Sequence, residues 1–173
     1  MHGIVRNVKR NLRKKKINNL CIFLSIASLV FLLDHVIKNY LRTHLSFESI
    51  PVIKNIFHIT VVFNTGAAFG LFQGKTDFLI ITGSVFVVIF FFLVRRERKK
   101  SLLFWISCGL IAGGALSNMA DRIFLGFVVD YLDFRIWPVF NLSDTAITTG
   151  VLLLGWRSFL NKNDKRDKNP AEK

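Results

Sequence analysis

The stretch "FNLSDTAITTGVLLLGWRSFL", residues 140–160, decides between two architectures. Its first half is polar, and only "VLLLGW" has the composition of a lipid-facing helix. A hydrocarbon core about 30 Å thick requires roughly 20 helical residues to cross. Residues 17–37, 78–94 and 102–120 supply such runs directly. Whether residues 140–160 add a fourth depends on charge.

The chain of 173 residues is 51% hydrophobic, with 18 Phe and a mean hydropathy of +0.41, the profile of a small polytopic membrane protein. Its formal charge of +13 and pI near 10.3 could suggest nucleic acid. The placement of the charges argues against it. They fall in three blocks, "RNVKRNLRKKK" near the start, "RRERKK" at 95–100 and "NKNDKRDKNPAEK" at the end, each flanking an apolar segment in the positive-inside pattern. With the first block inside, three spans would strand the basic tail outside, whereas four return it. Of the 24 Lys and Arg, the outer side then receives only Lys38, Arg42, Lys54, Lys75, Arg122 and Arg135. The expectation is an α-helical membrane protein of four transmembrane helices, spanning 17–37, 78–94, 102–120 and 140–160, with both termini cytoplasmic.

The basic start followed by apolar residues also fits a signal peptide, but the run after Lys16 is long and lacks a small-residue cleavage site, so it is read as a retained first span. Residues 1–16 form a basic cytoplasmic N-terminus, 17–160 a single membrane domain, and 161–173 a disordered cytoplasmic tail. Between the first two spans, residues 39–77 are too polar to cross and too rich in β-branched and aromatic residues for a plain linker. "IFHITVVF" alternates like a strand, and "NTGAAFG" supplies a turn whose glycines permit positive φ or close backbone approach. A small β-rich platform on the outer face of the bilayer follows. Cys21 and Cys108 sit in apolar runs and read as small buried hydrophobes. "GLIAGGALS" places small residues along the third helix, the signature of close helix packing.

Charge inside a bilayer is expensive, so such residues face a bundle interior or an interface. Here every intramembrane acid lies toward the outer end: Asp34, Asp121, Asp130, Asp133 and Asp144. Asp130 and Asp144 flank a turn containing "WP", which lets the returning chain bring their carboxyls together. Two close carboxylates cannot both ionise cheaply, so one holds a proton and one serves as base, the arrangement that activates water against an amide. On spacing alone, interfacial aspartates, partners of arginine and helix caps are the simpler readings, and "LSDTAI" looks like a capped helix start. Asn118 and Arg122 share a helix face, and Arg122 either neutralises Asp121 or holds a substrate carbonyl. Asp34 and Lys38, acid before base at i,i+4, read as structural support. The four histidines, at 2, 35, 44 and 58, show no metal-ligand spacing, and no serine lies in a nucleophile motif.

"VFNTGAAFG", "GGALSNMADR", "VVDYLDF" and "FNLSDTAI", in that order, together with "DHVIK" in the first span, resemble lipoprotein signal peptidase, the type II bacterial signal peptidase. The resemblance implies a membrane-embedded aspartic endopeptidase that cuts diacylglyceryl-modified prolipoproteins just before the lipidated cysteine, with no metal or organic cofactor and no nucleic-acid partner. It implies Asp130 and Asp144 as catalytic residues, Asn64, Asn118, Arg122 and Asn141 as substrate-binding residues, and Asp34, Lys38, Gly66 and Gly70 as structural support. It further implies a monomer in the bacterial inner membrane, surrounded by lipid, with the active site near the outer face and sensitivity to globomycin-type inhibitors. The chain departs from the family pattern at His35, Ser117 and Ser143, where glutamine, glycine and often alanine are usual. A small ion-coupled transporter, whose outer acids relay protons, is the alternative reading. The sequence shows none of the paired broken helices or repeat halves that such proteins carry.

Overall fold

The computed structural model describes the backbone of residues 2–45, 49–67, 70–97 and 101–168, and their side chains from residue 18 to residue 160. Seven elements follow in order: α1 (His2–His44), β1 (Ser49–Ile53), β2 (Phe57–Asn64), α2 (Thr76–Arg96), α3 (Leu102–Leu125), β3 (Val128–Asp133) and α4 (Leu142–Lys168).

Local chemistry sets the ends of α3. Ser101 caps its start by accepting from the Phe104 amide at 3.2 Å, and Gly126 ends it in the left-handed region at φ 82°. No such stop follows the last apolar residue of α4. The helix continues to Lys168, and residues 161–168 contain neither Gly nor Pro. Residues 169–173 lie outside the described residues. At the other end, α1 runs unbroken from His2 through the first basic block and past the expected span limit to His44.

Glycines on α3 fix how the helices pack. A Cβ at Gly109 would meet the Phe23 carbonyl oxygen at 3.0 Å, and one at Gly113 the Ala27 carbonyl oxygen at 2.5 Å, so α1 runs parallel to α3 in near-backbone contact. On another face, Gly114 meets the Ser143 carbonyl oxygen at 2.5 Å, and Gly150 of α4 meets the Ser107 carbonyl oxygen at 2.7 Å. That pairing makes α4 antiparallel to α3. It continues to the far end, where Arg157 lies over the Phe104 ring at 4.9 Å and donates to Glu97 at 3.3 Å. α2 is also antiparallel to α3: Gly83 abuts Met119, and the Thr76 hydroxyl donates to the Gly126 carbonyl at 2.9 Å. The four helices therefore alternate in direction, with α3 at the centre.

Among the described residues, three helices are long and apolar enough to cross a membrane, 18–44 within α1, and all of α2 and α3. α2 buries no residue along its length and presents Phe91, Phe92 and Leu93 outward, as a helix dissolved in lipid would. α4 fails that composition test because its first turns carry the polar "LSDTAITT".

A three-stranded antiparallel sheet, ordered β1-β2-β3, sits at the end of the bundle where α1 and α3 finish. Two strands arise in the segment between α1 and α2, as the alternating pattern suggests. The third was not expected: "VVDYLD" joins from beyond α3, pairing Val62 with Asp130 and Asn64 with Val128. β1 forms the outer edge, fully exposed, with Pro51 at its middle.

Candidate active site

The site assembles where α3, α4 and the sheet meet. β3 runs straight on from the α3 terminus, which sets Asp130 opposite β2, and Asn64 at the end of β2 donates to it at 2.9 Å. The chain then turns through residues 134–139 and returns. Phe140 exchanges backbone hydrogen bonds with Leu132, at 2.7 and 3.1 Å, delivering Asn141 beside β3 and starting α4 there.

Asn141, wholly buried, joins the two candidate carboxylates. Its side-chain amide donates to Asp130 at 2.7 Å, and its backbone amide donates to Asp144 at 3.2 Å. In return the Asp144 amide donates to the Asn141 side-chain oxygen at 2.9 Å, a reciprocal box that closes the first turn of α4. Asp144 therefore caps the helix with one carboxylate oxygen and faces the site with the other, which accepts from Asn118 at 2.8 Å. The capping and site readings of this residue are compatible.

Around the pair lies a cavity of about 700 Å³ whose lining includes Asn64, Asn118, Arg122, Asp130 and Asp144. Trp137, Val139 and Phe140 supply apolar wall, while Thr145, Thr148 and Thr149 extend it along α4. Burial pushes the Asp130 carboxyl up to about 7 and the charge of Asp144 adds to this, against the hydrogen bonds from Asn64 and Asn141.

Behind the cavity, Lys38 is 2% exposed and joins three acceptors: Asp34 at 2.6 Å, Asp121 at 2.9 Å and the Asn118 side-chain oxygen at 2.8 Å. The i,i+4 pairing of Asp34 with Lys38 is present, and it reaches the site through Asn118. Arg122, offered by the sequence as a neutraliser of Asp121, makes no ion pair with it. Its guanidinium instead donates to the Gly66 carbonyl at 3.0 Å and the Asn118 carbonyl at 3.3 Å. Lys38 has taken Asp121 because both lie on the faces where α1 and α3 touch. Gly66 in turn donates its amide to the Asn64 side chain at 2.9 Å, and a Cβ there would meet the Leu71 carbonyl oxygen at 2.7 Å. Gly70 adopts φ +73°, so both glycines of the turn do what only glycine permits. Asp133 stands apart, bound by Thr60 and Arg135, each at 2.9 Å.

Sequence reasoning missed Tyr131, Ser117 and Ser143, all buried against Asp34. Their one sequence signal was that the two serines break the family's small-residue pattern.

The family described as Signal peptidase (SPase) II matches residues 26–160. A lipoprotein signal peptidase of Halothermothrix orenii is 46% identical over 130 residues, covering 75% of this chain and 89% of that relative. One from Pelotomaculum thermopropionicum is 46% identical over 148 residues, covering 83% and 94%. A solved structure described as "Bacterial membrane enzyme structure by the in meso method at 2.3 A resolution" superposes with a TM-score of 0.73 at 30% identity, covering 87% of this chain and 92% of that one. The match spans the first helix through α4 and takes in every residue of the cavity, and the chain belongs to the signal peptidase II family.

Proposed function

We propose that this protein is a membrane-embedded aspartic endopeptidase that removes the signal peptide from diacylglyceryl-modified prolipoproteins, cutting just before the lipidated cysteine. The observation that carries the reading is the buried Asn141, hydrogen-bonded to both Asp130 and Asp144 at the wall of one cavity. In this reading the two carboxyls share a proton and hold a water between them. One withdraws a proton from the water as it attacks the scissile carbonyl, and the other protonates the departing nitrogen. Asn64, Asn118 and Asn141 orient the pair. Arg122 holds the turn at Gly66 over the cavity while lining it for substrate.

The alternating helix directions support four crossings, because α4 returns alongside α3 to the level at which α3 began. Its polar first turns lie against the site rather than lipid. Both termini then lie on the cytoplasmic side of the bacterial inner membrane. The sheet and dyad sit at the outer face, where acyl chains stay in lipid while the peptide enters the cavity.

The proton count predicts a pH dependence. With the Asp130 carboxyl at about 7, the pair holds its proton below that value and loses it above. On the alkaline side, kcat/KM should fall with a limb near pH 7, about tenfold per unit beyond it. A profile flat to pH 9 would contradict a proton held there.

The deciding experiment is cleavage of a diacylglyceryl-modified prolipoprotein by the purified protein in detergent, with no ion gradient, in the presence and absence of globomycin. Cleavage that globomycin blocks is the expected result. An intact substrate under conditions where the protein stays folded would overturn the reading.

A further inference from the structure

Three of the segments that surround the dyad each contribute one hydroxyl to a single buried carboxylate. Ser117, the residue before Asn118, donates from α3 to Asp34 Oδ2 at 2.7 Å. Ser143, the residue before Asp144, donates from α4 to the same oxygen at 2.6 Å. Tyr131, the residue after Asp130, donates from β3 to Asp34 Oδ1 at 3.3 Å. The tyrosine hydroxyl also accepts from the Leu142 amide at 3.1 Å, and the Ser143 amide donates to Asp34 Oδ1 at 3.3 Å. Asp34 is 0% exposed, Ser117 1%, Tyr131 3% and Ser143 0%. None of the four lines the cavity.

We infer that Ser117, Tyr131 and Ser143 are positioning residues for the cleavage, tying the backbones that carry Asn118, Asp130 and Asp144 to Asp34 so that the dyad is held at its working separation. The inference rests on the dyad reading above. The three donors lie 83, 97 and 109 residues from Asp34 in sequence, so this one side chain of α1 adds a tie common to α3, β3 and α4, beside the direct contacts among those elements. A buried carboxylate must be saturated with donors to remain in place, and Lys38 supplies the countercharge at 2.6 Å. Burial, with the adjacent Asp34, raises the phenol of Tyr131 above its ordinary range, so it stays protonated and keeps donating. Because each hydroxyl is one residue removed from a site residue, losing it loosens the backbone on which that site residue stands. Displacements of about 1 Å in reacting groups cost on the order of 10²-fold in rate.

The test compares Tyr131→Phe, Ser117→Ala, Ser143→Ala and the triple variant with the full-length protein in detergent, each assayed well below its own melting temperature. Steady-state cleavage of a diacylglyceryl-modified prolipoprotein is the readout. Each single change should lower kcat about fivefold, the size of effect one ordinary net hydrogen bond carries, and the triple on the order of 10²-fold. KM should stay within about twofold, since no substrate contact is removed. A triple variant with a lowered melting temperature but unchanged kcat would show that the hydroxyls only stabilise the fold, and the inference fails. A rise in KM at constant kcat would likewise overturn it. Should the triple variant not fold, Tyr131→Phe decides alone, because it deletes one oxygen and keeps the ring in place. Asp130→Asn separates the two levels of argument. If that variant is inactive while the hydroxyl variants cleave normally, only this inference is lost; if it cleaves normally, the dyad reading is lost with it.

Discussion

Asp130→Asn and Asp144→Asn are each expected to abolish cleavage, with a loss on the order of 10⁴-fold in kcat and accumulation of uncut, lipid-modified prolipoprotein in cells. An amide cannot take a proton from water or return one to nitrogen, so the chemistry stops while the shape is kept. At position 144 the carbonyl oxygen of asparagine can still accept from the Asn141 amide, where the carboxylate accepts at 3.2 Å, and so preserve the start of α4. At position 130 an NH2 group replaces one of the two oxygens that accept from Asn64 and Asn141, so one of those two donors loses its acceptor, and each of the two side chains keeps another partner. Both variants should therefore insert and melt near the wild-type temperature. Immunoblots showing mature lipoprotein at wild-type levels in either variant would take that residue out of the reaction.

Lys38→Met carries the largest expected effect on stability. The ammonium lies within 2.9 Å of both Asp34 and Asp121, neither of which is more than 4% exposed, so its removal leaves two buried carboxylates without a countercharge. Breaking one buried pair in this way typically costs about 3–5 kcal/mol. For a chain of this size that corresponds to a melting temperature lower by roughly 10 °C. Asn118 also loses the shorter of two hydrogen bonds to its Oδ1, keeping the one from Asn141, and with it part of its orientation toward Asp144, so activity should fall even in the surviving folded fraction. A melting temperature within about 2 °C of wild type would mean that the two carboxylates are not held by this lysine.

The sequence made the bundle legible where charge and hydropathy act together. The polar first half of α4 hides it from composition, and the fourth crossing that the basic tail calls for is a reading that the alternation of helix directions supports. Asn64 and Asn141 were implied only by the family resemblance, whereas the acids of the candidate site were legible for a different reason: they sit at the ends of apolar runs, where charge is expensive. β3 was not, because six residues containing two aspartates read as a source of chemistry rather than as a strand, and its partner β2 lies some 66 residues earlier. The same limit concealed the partner of Asp121. Arg122 is its neighbour in the chain, but a helix points adjacent side chains in different directions, and the acid meets Lys38 across the α1 interface instead. Hydroxyl donors such as Tyr131, Ser117 and Ser143 carry no periodicity that sequence can display.

Pro51 in β1 has a consequence for life in a crowded bilayer. Ser49–Ile53 is the free margin of the sheet, exposed along its whole length and rich in Ile and Val, which is the kind of surface that recruits a neighbouring strand. A proline there has no N–H to offer an incoming chain, and the ladder a second copy would need is interrupted at its centre. A neighbouring strand that approached this margin would find one rung of its ladder missing, which weakens the pairing that would extend the sheet from one molecule into the next.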